Sequence, residues 1–488
     1  MHCCRYNHAG IDDGWQLCNS GPEGTGFHNA SGFPMVNTSK FPDLRQMTAF
    51  ARSLGVIPGW YANNCHCADH SATCSGHEAC YTGDVAATVT YGFASLKVDA
   101  CGVQKNVSDY AERLNRTGVA VLLENCHEGT PHVDGSGNVV CPMNLFRTSA
   151  DIRPTFGAII TNLLTVDKYN SGGLTGPSCW AYPDMLEVGV TVPQPPGAVH
   201  HCETPAVPCR LNATEWQTHF SAWAINSAPL VLGMDLTDPQ AVDAAWPVIA
   251  NPEVIAVNQQ WAGDTGRLVS QSSSTVAAPN CGHGTPCQIP RWLVYAKRLP
   301  VPAADASWAR STTALLLING ADTVAHVAAN LSTSVPGLGS CTAGTCQVRD
   351  VAARVAMPNI TGGVLGATLP PHASLLAVIS SPYPWTPPSP PPPAPPAPPA
   401  SCKWIPGAGL KGSDIGHPEA GSASKEACCA ACAADSRCKA ACFRPASHTG
   451  PGGPGCHMKA ALDTDPGGAG DADAVVCIPE RSQNHNKA

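Results

Sequence analysis

The stretch "YGFASLKVDACG" (residues 91–102) runs apolar and then stops on a lysine, an aspartate and a cysteine. A buried strand with that ending delivers polar groups to one end of a sheet, and similar endings recur along the chain. Candidate strands are "NHAGI" (7–11), "GVIPGWY" (55–61), "FASLKVD" (93–99), "VAVLLEN" (119–125), "NLFRTSAD" (144–151), "SCWAYPD" (178–184) and "PLVLGMDL" (229–236). Segments of helical length and spacing lie between them, at 42–54, 107–114 and 214–225, the alternation expected of β/α architecture. Seven strands are one fewer than a closed eight-fold (β/α) TIM barrel needs.

In a parallel barrel all strand C-termini converge on one face, where active sites are built. Here those ends carry Asp12 and Asp13, Tyr61, Asp99, Asp151 and Asp184. Any one aspartate alone reads as a helix N-cap. Six polar residues at five strand ends together read as a site. Paired carboxylates on one rim suit glycoside hydrolysis, in which an ionised one attacks the anomeric carbon and a protonated one assists the leaving group, with no metal or other cofactor required. Lys97 is expected to keep Asp99 ionised. Asp151 needs partial desolvation or a second negative charge to hold a proton, and Arg147 works against that.

The composition bounds the alternatives. The chain has 488 residues, 43% hydrophobic and 13% charged, which allows a large domain and one or two smaller ones. A net charge of -8 offers no basic field for nucleic acid. Twenty-five cysteines and seven Asn-X-Ser/Thr sequons, at Asn29, Asn37, Asn106, Asn115, Asn212, Asn330 and Asn359, point to the secretory route and to a secreted or wall location. The count of cysteines is odd, so at least one is unpaired or pairs outside the chain. No apolar run of about 18 residues is present for a membrane span, and "MHCCRYNHAG" does not look like a signal peptide.

Domain boundaries follow from composition shifts. Residues 1–265 carry the barrel pattern, and 266–380 hold strand candidates without helices between them, an antiparallel β-sandwich. Close pairs Cys281/Cys287 and Cys341/Cys346 are expected to staple its loops. Residues 381–401, "SPYPWTPPSPPPPAPPAPPAS", form a stiff polyproline linker of the kind found in wall glycoproteins. Residues 402–488 hold eight cysteines, a small disulfide-rich α+β module.

"IDDGW", "LKVDAC", "FRTSADI", "CWAYPDMLEVG" and "SAPLVLGMDL", in this order, resemble glycoside hydrolase family 27, the α-galactosidases and α-N-acetylgalactosaminidases. The resemblance spans about residues 8–265. It implies a retaining mechanism on a terminal α-galactosyl sugar, in a barrel followed by an antiparallel β-domain. By this match Asp99 is the nucleophile, Asp151 the acid/base, Lys97 a hydroxyl ligand and Arg147 a sugar ligand. Asp12 and Asp13 hold the 4- and 6-hydroxyls, and Tyr61 and Asp184 complete the pocket. The loop "ENCHEGTPH", with His127 and Glu128, is the one that selects the 2-substituent in this family, and it suits a hydroxyl better than an acetamido group. Trp15 is expected to pack beneath its loop.

Two disulfides follow from the same match: Cys101 with a cysteine of the "NNCHC" loop, Cys65 being favoured, and Cys126 with Cys141. A zinc site through Cys65, His66, Cys67 and Cys74 is the other reading of that loop. The family barrel begins with a strand and helix ahead of "IDDGW", so the chain reads as truncated, lacking the first strand and an aromatic of the sugar site. The C-terminal "KEACCAACAADSRCKAACF" with "GCHMK" resembles PAN/Apple domains, which implies binding of protein or wall polysaccharide. A non-catalytic carbohydrate-binding protein and a structural wall glycoprotein are the competing classes.

Overall fold

A computed structural model describes residues 6–382, apart from 23, 64, 66–73, 75–77, 102, 127–130, 191–209, 282–284, 308, 336–337, 339–340, 342–344 and 361. Beyond 382 it describes 402–406, 414–416, 428–429, 432, 438, 440–444, 455–459 and 475–479. The chain divides into two compact units, Met1–Pro387 and Pro388–Ala488.

The first unit opens with a parallel sheet whose strands neighbour one another in chain order. These are β1 (His8–Gly10), β2 (Ile57–Ala62), β3 (Ser95–Val98), β4 (Leu122–Asn125), β5 (Leu145–Arg147) and β6 (Trp180–Tyr182). They correspond to six of the seven segments expected to be strands. The seventh, 229–236, makes only a single parallel bridge, Leu186 with Leu232. Two backbone hydrogen bonds make that bridge, Leu186 N–H to the Val231 carbonyl at 2.7 Å and Gly233 N–H to the Leu186 carbonyl at 3.0 Å, and the approach is close enough that an added Cβ at Gly233 would lie 3.1 Å from that carbonyl.

Helices cover the sheet: α1 (Leu44–Ser53), α2 (Glu78–Tyr91), α3 (Val107–Thr117), α4 (Phe156–Thr165), α5 (Asp167–Ser171), α6 (Ala213–Ile225), α7 (Pro239–Ile249) and α8 (Pro252–Gln259). Their starts are written in the sequence. Asp43 caps α1 by accepting from Gln46 N–H, Asn106 caps α3, and Asn212 with Glu215 forms a capping box on α6. Asn106 and Asn212 are thus sequon asparagines that also serve as helix caps. Alternation along β3 sets the site: Leu96 and Val98 join the apolar cluster with Val85, Tyr110 and Leu114, so Lys97 faces the inner side.

The rest of the unit is antiparallel. Its main sheet has β7 (Arg267–Gln271), β10 (Trp292–Leu299), β11 (Ser311–Asn319), β16 (Ser374–Ser381), β13 (Gln347–Asp350) and β14 (Val355–Met357), neighbouring in that order. A second sheet pairs β12 (Ala325–Asn330) with β15 (Val364–Leu369), and β8 (Thr275–Ala278) pairs with β9 (Cys287–Pro290). Every residue of β11 is buried, because the strand is covered on both faces. Leu316 and Ile318 join one core with Phe220 and Trp223 of α6, while Leu315 and Leu317 join another with Val327 and Leu365. The change near residue 265 is therefore one of architecture within a shared core. Cys281–Cys287 and Cys341–Cys346 are disulfides, as the spacing suggested.

The second unit holds a five-stranded antiparallel sheet. In chain order its strands are β17 (Cys402–Pro406), β18 (Asp414–Gly416), β19 (Ala440–Arg444), β20 (Gly455–Lys459) and β21 (Val475–Pro479), and in space they run β17-β21-β19-β20-β18. Cys432 and Cys438 are bonded, and the proline tract from 383 to 401 lies outside the described residues. Among the described residues no helix is long and apolar enough to cross a membrane.

Candidate active site

β2 and β3 pair with Tyr61 opposite Lys97, and β3 and β4 with Lys97 opposite Glu124, so three polar side chains occupy one level of the sheet. Asp99 leaves the end of β3 one pleat further on. Its Oδ2 accepts the Tyr61 hydroxyl at 2.8 Å and its Oδ1 the Ala100 N–H at 2.7 Å. Burial, reinforced by the Asp99 carboxylate, pushes the Tyr61 phenol far above its ordinary value, so the hydroxyl stays a donor. Asn63, in a left-handed conformation at φ 70°, donates to the carbonyls of Asp99 and Cys101 at 2.7 and 2.6 Å and fixes the backbone beyond the strand.

Lys97 meets Asp12, with Nζ 2.8 Å from Oδ2. Burial alone would lower its pKa, but Asp12 and then Glu124 more than offset this, and the net effect is a rise. Lys97 thus pairs with Asp12, a pairing that the sequence did not suggest. Asp13 is turned to the loops: Gly14 N–H donates to Oδ1 at 2.7 Å and Cys65 N–H to Oδ2 at 3.0 Å. Trp15 packs beneath, buried against Trp60 and Phe27, and its indole N–H donates to the Tyr61 carbonyl.

Arg147, at the end of β5, lies between two aspartates: Nη2 is 2.7 Å from Asp151 and Nη1 3.2 Å from Asp184. The two carboxylates differ sharply. The Asp151 side chain is 78% exposed and the Asp184 side chain 6%. Asp184 has φ 80°, and its oxygens also accept the N–H groups of Ile152 and Met185, both at 2.8 Å. It therefore ties the loop after β6 to the residue next to Asp151. The desolvation expected around Asp151 is absent from the free chain, because Arg147 holds that carboxylate out on the rim.

The cysteines bring one agreement in position and one correction. Cys65 is bonded to Cys101, and the Cys65 sulfur lies 3.4 Å from the Tyr61 hydroxyl. Cys141 is bonded to Cys179, not to Cys126. Cys179 stands one residue before β6 and Cys141 four before β5, neighbouring strands, whereas Cys126 lies buried and free at the inner end of β4. Burial raises the Cys126 thiol well above its ordinary range, against the pull of Arg147 and Lys97. Because Cys65 and Cys74 are both in disulfides, the latter with Cys80, neither can offer a thiolate to zinc. His66 and Cys67, the other two members of that set, lie outside the described residues, as do His127 and Glu128, expected to read the sugar 2-substituent.

Sequence reasoning missed Glu124, whose Oε1 accepts the Tyr182 hydroxyl from β6. Burial raises its carboxyl above the usual range while Lys97 works to lower it. The available signal was an acid inside the apolar run "VAVLLEN". A cavity of about 800 Å³ lies elsewhere, lined by Phe156, Trp216, Arg210 and His372 among others, and none of the candidate carboxylates lines it. The site is recognised by its converging side chains and not by cavity size.

Known proteins resemble the chain in both sequence and fold. The PAN domain family matches residues 408–459. Alpha-galactosidase of Cyamopsis tetragonoloba is 27% identical over 275 residues, covering 55% of this chain and 59% of that protein, so the chain spans about three-fifths of that relative. The crystal structure of alpha-galactosidase I from Mortierella vinacea aligns with TM-score 0.58 at 20% identity, over 78% of this chain and 89% of the other. A GH27 β-L-arabinopyranosidase from Geobacillus stearothermophilus, solved in complex with arabinose, aligns with TM-score 0.58 at 16% identity, over 78% and 90%. At these identities the structures speak for the fold, a parallel half-barrel with an antiparallel β-domain. The chain is therefore similar in sequence to curated alpha-galactosidases and in fold to solved structures of glycoside hydrolase family 27, and its residues 408–459 match the PAN domain family.

Proposed function

We propose that the chain is a retaining exo-glycosidase that hydrolyses terminal α-D-galactosyl residues. The observation that carries this reading is the pair Asp99 and Asp151, at the ends of β3 and β5 of one parallel sheet, each held by its own partner, Tyr61 and Arg147. Asp99 attacks the anomeric carbon as the glycosidic bond breaks, and Asp151 gives its proton to the departing oxygen. Asp151 then takes a proton from water, which attacks the same carbon, breaks the bond to Asp99 and releases galactose with its configuration retained. An incoming sugar would cover the exposed Asp151 carboxyl, desolvating it and favouring the protonated form that the first step needs.

Lys97, Asp12 and Asp13 supply charged partners for sugar hydroxyls, and Arg147 the same on the opposite side. The name of the Cyamopsis relative supports galactose as the sugar. An extracellular or wall location fits the cysteine count, and the PAN domain would tether the enzyme to polysaccharide or protein. The test is hydrolysis of p-nitrophenyl α-D-galactopyranoside followed by NMR, with α-galactose as the first product. Galactose binding without hydrolysis would instead support the non-catalytic carbohydrate-binding reading, and β-galactose as first product would overturn retention.

A further inference from the structure

Glu124 is the register partner of Lys97 on the neighbouring strand, and its Oε1 accepts the hydroxyl of Tyr182 from β6, two strands away. An acid at such a position is costly unless a cation or donors match it. The groups that act on it are Lys97 from β3, Tyr182 from β6, Asp12 after β1 and Asp184 after β6, with the Cys126 thiol two residues along its own strand. Lys97 is the cation among them. Lys97 in turn has Asp12, with a 59% exposed side chain, on one side and Glu124 within the sheet on the other.

We propose that Glu124 is a positioning residue for Lys97: anchored by Tyr182, its carboxylate keeps the Lys97 ammonium charged and fixed at the level below Asp99. A buried lysine without such a partner tends to lose its proton, and with it the ability to donate all its hydrogens to a sugar hydroxyl. Asp12 sits on the exposed rim, open to ligand, whereas Glu124 is held within the sheet by Tyr182. The inference deepens the proposed function, resting on it for the role of Lys97 toward sugar, but its test reads Lys97 directly.

The experiment is acetylation of the full chain with acetic anhydride over a pH series, quantified at Lys97 by peptide mass spectrometry, with exposed Lys168 as internal standard. Only the unprotonated amine reacts. Glu124→Gln should lower the Lys97 pKa by about one unit, so labelling at about pH 8 rises roughly tenfold. Glu124→Asp, which keeps the charge, should stay within about threefold of the unaltered chain, about half a pKa unit. Unchanged labelling in Glu124→Gln overturns the proposal. If that variant fails to fold, Asp12→Asn leaves Glu124 as the remaining carboxylate partner. Lys97 should then titrate no lower than Lys168, and a fall below it overturns the proposal. These results hold whether or not the chain hydrolyses galactosides, which the p-nitrophenyl assay reads separately.

Discussion

The Tyr61 hydroxyl donates to Asp99 Oδ2 at 2.8 Å, from the strand that neighbours the one carrying Asp99. That bond orients the carboxylate proposed as nucleophile. A hydrogen bond to a charged group is worth about 1.5–3 kcal/mol. Tyr61→Phe should therefore lower kcat/KM on p-nitrophenyl α-galactoside by about 10- to 100-fold. Because the phenol is pushed up, the bond persists across the working range, and the alkaline limb of the pH profile should be the same in the Phe variant, since Tyr61 ionisation does not set it. Unaltered kinetics would leave Tyr61 with no part in orienting Asp99.

Arg147 separates stability from activity. Its side chain is 5% exposed and its partner Asp184 is 6% exposed, so Arg147→Met leaves a buried carboxylate without its cation, a loss of about 3–5 kcal/mol. Asp151→Ala touches an exposed side chain and should change stability by less than about 0.5 kcal/mol, while turnover of substrates with poor leaving groups falls most. Thermal unfolding and a leaving-group series on the two variants check the pair. Equal loss of stability in both would contradict the division.

Glu187 predicts a pH dependence of stability. Burial first, then the Asp184 carboxylate, pushes its carboxyl up to about 8 from 4.5. Between these values the folded chain binds the extra proton and the unfolded chain does not. This contribution to stability is full below about pH 4.5 and is lost as pH rises through about 8. Glu187→Gln, which stays neutral, should flatten the fall in melting temperature between mildly acidic and neutral pH. A slope identical to that of the unaltered chain would contradict the assignment.

The disulfides give a chemical prediction. Peptide mapping without reduction should find Cys65 linked to Cys101 and Cys141 to Cys179, with Cys126 alkylated only after unfolding. Cys179→Ser opens a loop of 38 residues and should cost about 3–4 kcal/mol. Cys126→Ser should cost far less, since it breaks no cross-link. A linked Cys126–Cys141 peptide would restore the pairing implied by family resemblance.

The strands were legible because each apolar run ends on a polar residue, and six of them pair in chain order. Residues 229–236 carry the same local signal, yet a strand is made by its neighbours, and only Leu232 finds one. Cysteine pairing was legible where Cys281 and Cys287 stand six positions apart, but not for Cys141, whose partner is set by the adjacency of β5 and β6. Glu124 was illegible for the same reason. Alone it is an acid in an apolar run, and its meaning comes from Lys97 and Tyr182 on two other strands.

Covalent trapping tests the central claim, that Asp99 is the nucleophile, most directly. The full chain is treated with a 2-deoxy-2-fluoro-α-galactosyl or galacto-cyclophellitol probe, digested, and mapped by mass spectrometry. The predicted result is a single galactosyl label on Asp99, absent from Asp99→Ala. A label on any other carboxylate, or turnover of the p-nitrophenyl galactoside that survives in Asp99→Ala, would contradict it.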